Sequence, residues 1–306
     1  MTNIGKIVGP EQERVPGILS LATAGALTTV LLWGGSSMAT KLGTGTLDGA
    51  TLGILRVIAA GPCALLVIIA MRLRLPWHPG CRIYFSIITL AGMALAPIIF
   101  TLGVELTTAG HAVVASSSTS IFTGLIESIA RRQWPRLRWW IGTLVAFVGA
   151  LILISESLGL SSSDATWQGD VLCLLGAFFG SMAFYLGSRL SIQYGATSVT
   201  LWSVFFASVL LLPVLAVTET TTSLLKLNIM NWAVVFYLAA GASVIATITW
   251  YYALSRGGIG RMAVWQFALP IVGIFLATIV LDEQITVALI ASVMVILSGI
   301  ALVQHR

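Results

Sequence analysis

The sequence predicts an all-α integral membrane protein with ten transmembrane helices arranged as two inverted five-helix repeats, and three observations carry that prediction. Apolar residues make up 58% of the 306 positions and charged residues only 9%, against roughly a quarter charged in soluble domains. The apolar residues gather into ten runs close to the about twenty residues that cross a bilayer as a helix. The stretch from Arg261 to Val303 also recurs 150 positions earlier. Arg261 to Pro270 falls on His111 to Ser120, Glu283 on Gln133 and Gly299 on Gly149. A period of that length is the mark of a duplicated unit.

In order, the predicted spans are Gly17 to Lys41, Asp48 to Met71, Arg82 to Val104, Thr108 to Ala130 and Leu137 to Ile154 in the first half. The second half holds Gly169 to Leu190, Ala196 to Val217, Asn231 to Leu254, Arg261 to Leu281 and Ile285 to Val303. The expected organisation is a cytoplasmic segment 1–16, a first repeat 17–155, an outer linker 156–168 and a second repeat 169–303. The apolar segment after residue 16 is too long for a signal-peptide core and reads as a retained first span. Connections are short and leave no room for an extramembrane domain.

Charge sets the expected orientation. Lys and Arg accumulate in short cytoplasmic loops, and with the N-terminus inside, thirteen of the sixteen fall on that side. Lys226 lies in an outer loop, and Lys41 and Arg56 belong to spans. Acidic residues such as Asp164, Asp170, Glu219, Asp282 and Glu283 fall outside. Both termini are therefore expected in the cytoplasm of a multi-pass protein of the cytoplasmic (inner or plasma) membrane. Trp77, Trp134, Trp139 and Trp140 at the inner interface, and Trp167 and Trp232 at the outer one, read as aromatic anchors. The net charge of +5 follows topology, so no nucleic-acid partner is expected. Five spans per half is an odd number, so the halves enter from opposite sides. Many secondary transporters share that arrangement, with a midplane site exposed alternately to either side.

Other chemistry finds little support. Cys63, Cys81 and Cys173 stand singly, without metal-ligand or disulfide spacing, and read as small apolar fillers. There is no HExxH, GxSxG or phosphate-binding glycine motif, and His78 and His305 lie at the cytoplasmic surface. Neither an enzyme, a metal nor a cofactor is expected. An intramembrane enzyme is the remote alternative. The partners expected are a small-molecule substrate and the bilayer, and a monomer suffices.

The residues also resemble a known family, the ten-span EamA-type branch of the drug/metabolite transporter superfamily. The first span carries Trp33-Gly34, Ser37 and Lys41, the second carries Arg56, and the last two carry Pro270, Asp282-Glu283-Gln284-Ile285-Thr286 and Gly299. The likeness runs from Gly17 to Val303. Ser120 and Gln133 depart from it, standing where the family usually has Pro and Glu. The resemblance implies a metabolite exporter with spans one to four and six to nine around a central cavity and spans five and ten peripheral. The aromatic-rich spans look most like the branch that exports aromatic amino acids.

Charges within spans are costly and usually face protein or water. Lys41 and Arg189, closing the first and sixth spans, and His111 and Arg261, paired by the repeat, place cations at both mouths. They can attract a substrate carboxylate, or snorkel to headgroups. Arg56 can bind a carboxylate or pair with Asp48 or Glu105. Glu127 reads as an interfacial ion pair with Arg131, and His111 as a proton carrier or a solvated side chain. No carboxylate stands out as buried, so facilitated diffusion is as consistent as proton exchange. Multidrug or cationic-compound efflux by proton exchange is the alternative to export of zwitterionic metabolites.

The fourth span holds Ser116 to Ser120 in succession, with Ser118 taken as a cavity residue and the rest as back-bonded to their own carbonyls. Trp33, Ser37, Tyr237, Trp265 and Gln266 complete the expected substrate-binding set, alongside Lys41, Arg56 and His111. Apolar pockets with a few polar groups hold small ligands. Pro62, Pro97, Pro213 and Pro270 are candidate hinges, because proline removes a helix hydrogen bond. Gly176 and Gly180 mark a close helix crossing.

Overall fold

The computed structural model describes residues 16–132, 137–157, 165–217, 227–258, 262, 265–266 and 268–304. The N-terminal segment to residue 15, Gln133, Trp134, Asp164, Glu219, Lys226, Arg261 and His305 lie outside the described residues.

Among the described residues the chain forms ten helical rods and no strand. They are α1 (Pro16–Thr44), α2 (Gly49–Met71), α3 (Arg82–Leu106), α4 (Ala109–Arg131), α5 (Leu137–Ser157), α6 (Trp167–Tyr194), α7 (Ala196–Val217), α8 (Ile229–Gly257), α9 (Ala268–Leu281) and α10 (Val287–Gln304). Six of them, α2, α3, α4, α6, α7 and α8, are long and apolar enough to cross a membrane, and α5, α9 and α10 contain shorter apolar stretches. Although α1 has the length, it carries Thr23, Thr28, Thr29, Ser36 and Ser37 and is not among the six.

The even-numbered helices begin alike. Asp48, Thr108, Thr166, Asn228 and Thr286 each place a side-chain oxygen on a backbone N–H in the first turn, those of Thr51, His111, Gly169, Asn231 and Leu289, at 2.8 to 3.2 Å. Such caps satisfy donors that the helix itself cannot. Three cross-links gather these starts at one end of the bundle. Thr46 Oγ1 donates to Asn231 Oδ1 at 3.1 Å, Gly49 N donates to Glu105 Oε2 at 2.9 Å, and Ala109 N and Gly110 N donate to the two oxygens of Glu283 at 2.7 and 2.9 Å. This is called the capped end below.

Packing follows a regular scheme. Helix α1 lies on α8 and α9, α6 lies on α3 and α4, and the pairs α2–α7, α4–α9 and α5–α10 close the bundle. Shifting each helix by five places maps this set of neighbours onto itself. Small residues make the crossings close. At Gly103 a Cβ would sit 2.7 Å from Cys173 N and 2.8 Å from Gly169 O, and Gly176 abuts the backbone of Phe100. Gly180 has nothing within 4 Å of such a Cβ and opens toward the cavity described below, so of the two glycines only Gly176 serves close packing. The outer surface is apolar: on α9, Ile271, Phe275 and Ile279 are each more than 60% exposed at four-residue spacing, a stripe that suits lipid.

Two helices carry π segments, Ile88–Leu95 within α3 and Tyr237–Ile245 within α8. They end in matching bonds, Ala96 N to Ala91 O and Ala246 N to Gly241 O, related by the 150-residue offset. Pro97 follows the first, whereas Thr247 follows the second. Helices α2 and α7 run on through Pro62 and Pro213, so of the four prolines only Pro97 adjoins irregular helix geometry within a rod. Pro270 lies in the first turn of the described part of α9, where no N–H is required. Its neighbours Trp265 and Gln266 form a 3₁₀ turn. The counterpart in α4 is a break at Ser118, whose N–H bonds to Ala115 O at 3.1 Å.

Two expectations need correction here. Trp139 is only 8% exposed and packs with Val30, Val113 and Ile121 in a core cluster, so it is a packing residue and not an interfacial anchor. The expectation that no carboxylate stands out as buried also fails: Asp170, within the predicted sixth span, lies in the first turn of α6 and is fully buried.

Candidate functional site

A partly open cavity, with about 150 Å³ of room for water-sized groups, lies between the helices. Residues of α1 to α4 and α6 to α9, with Gln266 before α9, line it, while α5 and α10 pack on each other away from it.

Among the described residues, Arg56 is the charged residue of the lining, and no Asp or Glu accompanies it there. It is 6% exposed, and its Nε has no hydrogen-bond partner. The two carboxylates that might have taken it are engaged elsewhere. Asp48 caps α2, and Glu105 accepts from Gly49 N. An enclosed guanidinium with donor capacity left over is a site for an anion, because leaving such a group unmatched is expensive.

The same lining holds rings. Trp33 stacks on Phe184, with centroids 5.1 Å apart and planes 14° from parallel, and Trp250 packs behind both. Trp33 Nε1 donates to Ala242 O at 2.9 Å. That acceptor exists because of the π segment: Ala246 N, which a regular helix would aim at Ala242 O, goes to Gly241 O, and the skipped carbonyl is left to the indole.

The remaining expected residues divide. Gln266, 2% exposed, lines the cavity. Trp265 does not, and packs among the core clusters. Of the serines, Ser36 and Ser116 line it, with Thr119, whereas Ser37 and Ser118 do not. Helical spacing turns neighbouring residues about 100° apart, so the cavity takes alternate members of each run. Ser116 Oγ donates to Ala112 O at 2.9 Å, Ser117 Oγ to Val113 O at 3.3 Å and Thr119 Oγ1 to Ser116 O, the back-bonding expected of them. Tyr237 is drawn away from the cavity by Leu32 O, to which its hydroxyl donates at 2.8 Å, and it fills the space beside Gly35.

Lys41 also points elsewhere. Its Nζ donates to the carbonyls of Val104, Glu105 and Thr107 at 3.2, 3.2 and 2.5 Å, closing the C-terminal end of α3 as a cation does best. His111 is not solvated. It is 3% exposed, with Nδ1 3.2 Å from both oxygens of Asp170, which also accepts from Thr107 Oγ1 at 2.6 Å. This buried pair at the capped end overturns the expectation that the chain holds no buried carboxylate. The signal was available: Asp170 is the second residue of the predicted sixth span, and an acid within a span needs a partner. Arg189 and Glu127 meet at the other end, where Glu127 Oε1 is 2.8 Å from Arg131 and 3.6 Å from Arg189.

Comparison with known proteins gives the family. The sequence profile of the EamA-like transporter family matches twice, over residues 20–155 and 167–304. The chain belongs to the EamA-like transporter family. This EamA-like chain is 26% identical over 257 residues to an uncharacterized transporter of Archaeoglobus fulgidus, covering 84% of this chain and 88% of that one. It is 23% identical over 284 residues, 90% and 92% of the two chains, to a probable amino-acid metabolite efflux pump of Escherichia coli K12. A crystal structure superposes with a TM-score of 0.66 at 17% identity, covering 92% of the EamA-like chain and 96% of the other, a likeness of fold. The EamA-like chain is thus a multi-pass membrane transporter.

Proposed function

We propose that this transporter exports small zwitterionic metabolites, amino acids above all, with aromatic or neutral side chains, by alternating access. The observation that carries the reading is Arg56, buried in the cavity wall with Nε lacking a partner, ready for a carboxylate. The stacked Trp33 and Phe184 give a planar or apolar side chain a surface. A cationic drug finds no carboxylate among the described lining residues and meets Arg56 instead, so electrostatics favour the amino acid over the alternative of cation efflux. The name carried by the Escherichia coli relative agrees in direction.

Ten spans in two inverted repeats fit the double family match, the five-place symmetry of helix packing and the paired π segments. On this reading the capped end faces outward and both termini the cytoplasm. Rocking of one half against the other alternates access, with Pro62, Pro97, Pro213 and Pro270 as points where helices yield. Counterflow of labelled phenylalanine and threonine into proteoliposomes, beside a cationic dye, tests it. Amino-acid counterflow supports the reading, and movement of the dye alone contradicts it.

A further inference from the structure

Arg56 accounts for only one end of a zwitterion, and among the described lining residues no carboxylate awaits the ammonium. A difference between the two π segments supplies another acceptor. In α8 the skipped carbonyl, Ala242 O, receives the indole N–H of Trp33. The equivalent carbonyl in α3 is Gly92 O, passed over because Ala96 N bonds to Ala91 O. No indole can reach it in the same way, because Ala183 stands 150 residues after Trp33, and it lies so close that a Cβ on Gly92 would be 2.1 Å from its own.

Proline widens the gap. In α8 the residue after Ala246 is Thr247, which keeps an N–H; in α3 the residue after Ala96 is Pro97, which has none to offer Met93 O or Gly92 O. Neither Gly92 O nor Met93 O therefore has the N–H four residues on that a regular helix supplies. Gly92, Met93, Ala96 and Pro97 all line the cavity that holds Arg56. Buried carbonyls seek a donor, and an ammonium has three.

We propose that the carbonyls of Gly92 and Met93 form the ammonium subsite of this transporter, so that the α3 π segment reads the amine while Arg56 reads the carboxylate. The proposal rests on the cavity being the substrate site. It gives the asymmetry of the halves a purpose: one π segment is closed by Trp33, and its counterpart is left open for the substrate. It also explains how a site without an acidic side chain accepts a primary amine, through backbone dipoles that carry no net charge to desolvate.

The test measures binding by calorimetry to the purified full-length protein in detergent, with three probes: phenylalanine, 3-phenylpropionate, which lacks the amine, and phenylethylamine, which lacks the carboxylate. Phenylalanine is expected to bind about tenfold or more tightly than 3-phenylpropionate, the worth of a charged hydrogen bond. Replacing Met93 by its α-hydroxy acid converts the Gly92–Met93 amide to an ester and weakens the Gly92 carbonyl as an acceptor. That change is expected to loosen phenylalanine and phenylethylamine severalfold and leave 3-phenylpropionate unaltered, whose retained binding reports an intact fold. Pro97→Ala, which restores an N–H, is expected to act in the same direction. Equal binding of phenylalanine and 3-phenylpropionate overturns the ammonium subsite while keeping Arg56 as the carboxylate anchor. Binding of phenylethylamine without 3-phenylpropionate overturns the carboxylate reading and keeps the subsite, and binding of none of the three overturns both.

Discussion

Asp170 and His111 meet in the interior at 3.2 Å, with the carboxylate fully buried and the imidazole 3% exposed. They join the first turn of α6 to the first turn of α4, and Thr107 at the end of α3 adds a 2.6 Å hydrogen bond to the same carboxylate. Lys41 closes the same turn from α1. Four helices are therefore fastened at the capped end by polar contacts. Breaking a buried pair by removing one partner costs about 3–5 kcal/mol. Asp170→Ala is expected to lower the melting temperature strongly, and the His111→Leu, Asp170→Leu double variant less than the sum of the singles. Additive losses in a double-mutant cycle would show that the contact carries no coupling.

Arg56 presents the opposite case. Its charge is buried without a carboxylate partner, so the fold gains little from it. Arg56→Met is expected to keep or raise the melting temperature while abolishing phenylalanine counterflow. A large fall in stability would make Arg56 a structural residue.

The crossing of α3 and α6 is fixed by backbone contact. A methyl at Gly103 would press on Cys173 N and Gly169 O, neither of which is a flexible side-chain end. Gly103→Ala is expected to destabilise by about 1–3 kcal/mol, as overpacking does. A melting temperature unchanged from wild type would place the crossing further apart than described.

Glu127 lies at the other end, 22% exposed between Arg131 and Arg189. Exposed pairs contribute about 0–1 kcal/mol, so Glu127→Gln is expected to leave stability and amino-acid counterflow near wild type. A flux that loses its response to an imposed pH gradient in this variant alone would make Glu127 a proton carrier.

The helices were legible because lipid demands long apolar runs and the Lys and Arg between them punctuate the chain. Trp33, Arg56 and Gln266 could be picked out as polar or ring-bearing residues in apolar surroundings, but which hydroxyl of a pair turns inward depends on a helical phase that the residue order alone leaves open. Ser36 and Ser37 show this. The π segments were half visible: Pro97 warns of irregularity in α3, whereas Tyr237 to Ile245 contains no proline and only Gly241, a weaker signal. The burial of Asp170, at the start of the predicted sixth span, was not read because its partners, His111 and Thr107, lie some sixty residues away in sequence.

The most direct test compares phenylalanine counterflow in proteoliposomes carrying the wild-type protein, Arg56→Gln and Trp33→Ala. The account predicts robust counterflow in the wild type, a loss of tenfold or more, about 1.4 kcal/mol, in Arg56→Gln, and a smaller loss in Trp33→Ala, in keeping with about 0.5–1.5 kcal/mol for an aromatic pair. Wild-type counterflow that persists undiminished in Arg56→Gln would contradict it.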